Sequence, residues 1–151
     1  MRVSAKADYA IRAVVELAAA GPGPVKGERI AQAQSIPPNF LENILADLRN
    51  AGLVVSKRGA DGGYWLARAA DEITLADVIR AVDGPLANVR GLRSEQVSYE
   101  GSAARLRDVW VAVRASLRAV LEQVTVGELA RGELPASVEA LAADPDAWAQ
   151  H

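Results

Sequence analysis

A pair of prolines constrains this chain more than any other feature. Ser35-Ile36-Pro37-Pro38 interrupts apolar residues set at helical spacing and forces a sharp turn. Pro38 suits the first position of a helix, where its missing N–H costs nothing. From there to about Ala51, Leu41, Ile44, Leu45 and Leu48 form one buried stripe, and Gly52 suits the left-handed residue that ends a helix. Before the prolines, Lys26–Gln34 reads as a shorter helix with Ile30 and Ala31 facing inward. The spacing predicts a helix, a tight turn and a second helix within about 25 residues.

The flanks extend this unit. Ser4 is placed to cap a first helix that runs to about Ala20, with Ile11, Val14, Val15 and Ala18 on its inward stripe. Gly21-Pro22-Gly23-Pro24 stops it. After Gly52, Leu53–Lys57 and Tyr64–Ala67 are β-like runs around the turn Arg58-Gly59-Ala60-Asp61-Gly62-Gly63, the pattern of a hairpin. Thr74, with Asp77 three residues on, opens a further helix that ends near Asp83-Gly84-Pro85. Residues 86–101 lack periodicity and read as a loop. Ser102–Val124 is the longest regular segment. Leu106, Trp110, Val113, Leu117, Val120 and Val124 recur at alternating spacings of four and three, an a/d pattern of nearly three heptads. Short helices are expected around Val126–Ala130 and Ser137–Ala142, ahead of a frayed tail.

Composition sets the boundaries. Half of the 151 residues are hydrophobic and 24% are charged, enough for a packed core. There is no cysteine, which excludes disulfides, thiolate metal sites and a cysteine nucleophile. His151 is the single histidine and the last residue, so no Ser-His-Asp set can be assembled and no enzymatic residue set is expected. Arg12 and Glu16 interrupt the first apolar run, unlike a secretory leader, and no stretch approaches the roughly 20 apolar residues of a membrane span. The expectation is a soluble cytoplasmic protein. The net charge of -2 is uneven: residues 1–66 hold 8 Lys/Arg against 6 Asp/Glu, and residues 67–151 hold 9 against 13.

Helix, helix, turn, helix and hairpin is the order of a winged helix-turn-helix. A DNA major groove, about 12 Å wide, admits one helix, which must be apolar behind and polar in front. Opposite the Leu/Ile stripe of the third helix lie Asn39, Glu42, Asn43, Ala46 and Arg49. Asn can pair with adenine, Glu can accept from cytosine, and Arg can hold phosphate or guanine. Any surface helix has such a face, so the order of elements, rather than this helix alone, gives the reading its weight. Lys57 and Arg58 precede the glycine-rich tip, where a cationic wing can follow the backbone or enter the minor groove; the glycines by themselves are ordinary turn residues. The heptad helix either packs on its own domain or pairs with a second copy, and a C2 pair would present two reading helices to a palindrome.

These residues resemble one family. Met1–Ala10, Ile30-Ala31, Phe40-Leu41-Glu42, Leu48–Val54, Arg58–Leu66, Ile73–Ile79 with Asp83-Gly84, and Leu106 with Trp110 are together similar to the Rrf2 regulators of bacteria, the group of IscR, NsrR and CymR. The resemblance spans roughly residues 1–130. It implies a winged-helix dimer with a long crossing helix, and DNA contacts at Tyr9, Asn39, Glu42 and Arg58. Two departures stand out. Pro37 takes the place of a Ser-type helix cap. The loop before the long helix, which in sensor members carries three cysteines for an iron–sulfur cluster, has none here, so thiolate ligation of such a cluster is impossible.

The expected fold is therefore mainly α: a winged helix-turn-helix domain (1–85) with a two-stranded β-wing, a loop (86–101), a long dimerisation helix (102–124), then short helices and a tail (125–151). The expected function is a sequence-specific DNA-binding transcriptional regulator, a repressor binding a palindromic operator as a homodimer. The expected DNA contacts are Tyr9, Asn39, Glu42, Asn43, Arg49, Lys57 and Arg58. Leu106, Trp110, Val113, Leu117, Val120 and Val124 are expected at the dimer seam. No cofactor is expected. A small-molecule or protein effector stays open, with Trp110 and Tyr99 either lining a small pocket or packing in the core. The alternative is a winged-helix module that partners a metabolic enzyme without touching DNA.

Overall fold

The computed structural model describes residues 1–151. Seven helices and one two-stranded antiparallel sheet follow in the order α1 (Ala5–Ala20), α2 (Gly27–Gln34), α3 (Pro38–Asn50), β1 (Val54–Lys57), β2 (Gly63–Leu66), α4 (Leu75–Asp83), α5 (Leu106–Leu121), α6 (Val126–Ala130) and α7 (Ala136–Ala143). This is the mainly helical winged fold expected from the sequence.

Helix α1 is the hub. Helices α2, α3, α4 and α6 all pack on it. Ser4 caps it, its hydroxyl accepting from the Ala7 amide at 2.9 Å. The stripe differs from expectation. Ala7, Ala10, Ala13, Val14 and Leu17 are fully buried, whereas Ile11, Val15 and Ala18 lie at the margin of the core. Alanine lets neighbouring helices approach closely, so a helix surrounded on several sides spends its small residues at the centre.

Helices α2 and α3 meet as predicted. Ser35 adopts φ 52, and Pro37 precedes α3 without a side-chain cap. Leu41, Ile44, Leu45 and Leu48 are buried. Gly52, at φ 76, closes α3: its amide reaches Arg49 O at 3.0 Å and the Leu53 amide reaches Leu48 O at 2.9 Å, the paired bonds of a Schellman motif. The chain thereby turns directly into β1.

The wing pairs Val54 with Leu66, Val55 with Trp65, Ser56 with Tyr64 and Lys57 with Gly63. Val25 extends the sheet by exchanging two backbone hydrogen bonds of 2.8 Å with Tyr64, which ties the wing to the start of α2.

The C-terminal part departs from the expected division. Regular α-helix begins at Leu106 and ends at Leu121, not over 102–124. Val124 lies beyond the helix and is buried, its carbonyl accepting from the Leu75 amide at 3.0 Å. It is therefore buried within its own chain and not open to a dimer seam. Thr125 then opens α6 with a reciprocal capping box to Glu128. Val126 joins the core, and its amide donates to Ile73 O at 2.8 Å. Residues 124–131 thus complete the N-terminal domain rather than trailing from it. No helix is long and apolar enough to cross a membrane.

Candidate nucleic-acid interface

The first half of α3 points outward. Asn39, Glu42 and Asn43 are exposed, and none of their side chains makes a hydrogen bond within the chain. Their stripe is turned away from Leu41, Ile44 and Leu45 by the helical period. Arg49 lies some ten residues further along, about 15 Å down the axis. Its guanidinium donates to Ser56 Oγ at 3.2 Å, so it links α3 to the wing and lies away from the reading end of the helix.

Between α3 and the wing runs a groove of about 550 Å³. Its cations are Lys26, Arg49, Lys57 and Arg58, and its acids are Glu28 and Glu42. None of these four cations forms an ion pair, although eight of the other Lys and Arg side chains do, including Lys6, Arg12, Arg80 and Arg131. Four cations without a carboxylate partner converge on this one groove, which is what a surface for external phosphates requires.

Lys26 was not singled out by its sequence context. Its ammonium donates to the Gly59 carbonyl at 2.8 Å, pinning the wing tip over α2. Only the long-range pairing of Val25 with Tyr64 brings it there, and no local signal announces that pairing. The tip itself is sterically fixed. A Cβ on Gly62 would stand 2.0 Å from Lys57 O, and one on Gly63 2.6 Å from Val25 O.

Tyr9 joins from α1. Its ring meets the exposed Phe40 edge-on, with centroids 6.3 Å apart, and the Arg12 guanidinium lies 4.9 Å from its centroid. Arg12 is held in turn by Gln34 O at 2.7 Å and Asp8 at 2.9 Å. The ring is therefore fixed beside the first turn of α3, while the phenol hydroxyl has no partner in the chain. In the sequence Phe40 belongs only to the family resemblance and has no assigned role, because an exposed aromatic on a helix carries no periodic signal. The structure brings Tyr9, Asn39, Glu42 and Asn43 to the start of α3, and gathers Arg49, Lys57 and Arg58 in the groove beside it.

An outward polar helix delivered by a helix-turn-helix, with a wing beside it and uncompensated cations between, defines a winged helix-turn-helix protein. The family model Rrf2, described as an iron-dependent transcriptional regulator, matches residues 3–132. The chain belongs to the Rrf2 family of DNA-binding transcriptional regulators. A Mycobacterium tuberculosis protein named as a candidate HTH-type transcriptional regulator is 52% identical over 145 residues, covering 95% of this chain and 90% of the relative. CymR of Bacillus subtilis is 37% identical over 131 residues, covering 86% and 90%. The solved structure of CymR, the global cysteine regulator of B. subtilis, aligns with a TM-score of 0.73 at 36% identity, covering 87% of this chain and 98% of that one. IscR of T. potens aligns at 0.70 with 34% identity, covering 99% and 97%.

The family description raises the question of iron. The loop between α4 and α5 contains neither cysteine nor histidine, and its Glu95 is engaged by Arg114. No group of three or more His, Cys, Asp or Glu side chains gathers in the structure to hold a metal. The donor set does not fit an iron–sulfur cluster.

Proposed function

We propose that this protein binds a palindromic operator in the bacterial cytoplasm as a homodimer and represses transcription by occupying it. The groove between α3 and the wing carries this reading, because its four cations have no carboxylate partners within the chain. With α3 in the major groove, Asn39, Glu42 and Asn43 face base edges. The flanking phosphodiester strand then meets Lys26, Arg49 and Lys57, and Arg58 reaches the minor groove from the wing tip. Tyr9 offers its free hydroxyl to a phosphate at the start of α3. The half-buried apolar residues of α5 supply the pairing surface.

Selection of duplexes from a random pool tests the proposal. A two-fold symmetric consensus is expected, with affinity falling steeply as salt rises. Arg58→Ala is expected to cost about 1–3 kcal/mol of binding, while Glu42→Ala relaxes base preference. An unchanged titration after both substitutions, or capture of a stoichiometric protein partner with no duplex retained at low salt, would overturn it.

A further inference from the structure

A second basic cavity lies away from the DNA-binding groove. It has a volume of about 460 Å³ and opens between α4, α5 and the loop that joins them. Its charged lining is Arg80, Arg93, Glu95, Arg114 and Arg118, with Leu86 and Pro85 on its wall. We propose that it binds a small multivalent oxyanion, a metabolite bearing carboxylates or phosphates.

The charges do not balance. Glu122 accepts from Arg80 at 2.6 Å and from Arg118 at 2.9 Å, both on the same oxygen, Oε1. Glu95 pairs with Arg114. Three guanidinium groups therefore share two carboxylates, and the fourth, Arg93, has no ion pair at all. The surplus acts on its neighbours: hydrogen bonds from Arg118 and Arg80 hold the Glu122 carboxyl below its ordinary range. A guanidinium presents paired N–H groups that match two oxygens of a carboxylate or phosphate, so the unused donors suit an anion of at least two charges.

The cavity is also built rather than incidental. The loop that supplies Arg93 and Glu95 is fastened at Ser94, which is fully buried and donates to the Ala87 carbonyl at 2.7 Å. Leu86 and Val97 anchor its two ends in the interior. Ala87 and Arg90 are held at φ 51 and 53, a conformation that is strained for a non-glycine residue and persists only where the surroundings impose it. The loop backbone that carries Arg93 and Glu95 is thus fixed before any ligand arrives, and a preorganised site spends less of its binding energy on ordering. A volume of this size accommodates a metabolite-sized anion.

The assignment does not depend on the DNA-binding reading, because it is tested without DNA. Isothermal titration of the full chain with phosphate, pyrophosphate or citrate, at ionic strength held constant with chloride, is expected to show saturable binding to one site per chain for at least one of them. The arm that saturates distinguishes phosphate from carboxylate chemistry. Arg93→Gln is expected to weaken that binding at least tenfold while leaving the melting temperature in place, since Arg93 supports no ion pair. Arg114→Gln is expected to act in the same direction, and where it unfolds the chain the Arg93→Gln result decides. Arg58→Ala should leave anion binding unchanged. Non-saturating heats for all three anions, equal affinity in Arg93→Gln, or loss of binding on Arg58→Ala, which would move the anion to the DNA-binding groove, each overturns the proposal.

Discussion

At the scale of residues, packing and recognition can be separated in Tyr9. The ring is fixed by Phe40 and Arg12, while its hydroxyl has no partner in the chain. Tyr9→Phe is therefore expected to leave thermal stability unchanged and to weaken operator binding by about 1 kcal/mol, the worth of one hydrogen bond. Parallel melts and fluorescence-anisotropy titrations check it, and unchanged affinity would remove Tyr9 from the interface. The wing glycines allow a second comparison. At Gly59, with φ 103 and open space around a Cβ, alanine meets conformational strain alone, about 1 kcal/mol. At Gly63, with φ 150, the Cβ also strikes the Val25 carbonyl. Gly63→Ala should cost roughly 2–3 kcal/mol and lower Tm by several degrees more than Gly59→Ala does. Asn39, Glu42 and Asn43 were legible in the sequence, because helical periodicity fixes which way a side chain faces. Lys26 and Phe40 were not, because their neighbours come from distant parts of the chain.

Among the elements, those with their own punctuation are legible in the sequence. Pro38 and Gly52 bracket α3, and the Thr74 capping box opens α4 as anticipated, with both reciprocal hydrogen bonds present. The sequence pattern and the structure part where size does not follow burial and where one pattern runs into the next. In α1 the larger Ile11 and Val15 drew the stripe, but the crowded centre takes Ala10 and Ala13. At the end of α5, Val124 continues the heptad count, yet Thr125 and Glu128 directly after it mark the start of a new helix. Val124 then occupies the position before the cap, where an apolar residue commonly packs back toward the following turn. Because α6 closes the core against α1, its cap matters to the whole domain. Thr125→Ala is expected to cost about 1 kcal/mol and lower the melting temperature by a few degrees. A comparable loss should appear in chemical denaturation without a change in m-value. Stability equal to that of the parent would show that α6 contributes packing without depending on its cap.

For the whole molecule, the decisive feature is that α5 has no fully buried residue, although it carries a regular apolar seam. Leu106, Trp110, Val113, Leu117 and Val120 are half-buried, and Val109 is 50% exposed beside them. The helix touches its own body through α4 and through the short turn at Ser94–Gln96, and the Trp110 indole N–H donates to the Tyr99 hydroxyl at 3.1 Å. One end of the seam also opens onto an apolar groove, where Leu117 and Leu121 stand beside Ile79 and Leu86. Taking such a side chain from water to full burial is worth about 1.5–3 kcal/mol, and each seam residue still has part of that to gain, so a second copy of the same seam is a more favourable neighbour than solvent. Leu117→Glu places a charge in the middle of that seam. Since the body of the protein holds α5 at one side only, the variant should keep its helical circular dichroism while sedimenting at single-chain mass. Operator affinity should fall with it, because two linked reading helices bind far more tightly than one. If Leu117→Glu still sediments as a pair, or the parent chain is monomeric at micromolar concentration, the seam belongs to the chain's own fold and palindrome recognition must arise on the DNA itself.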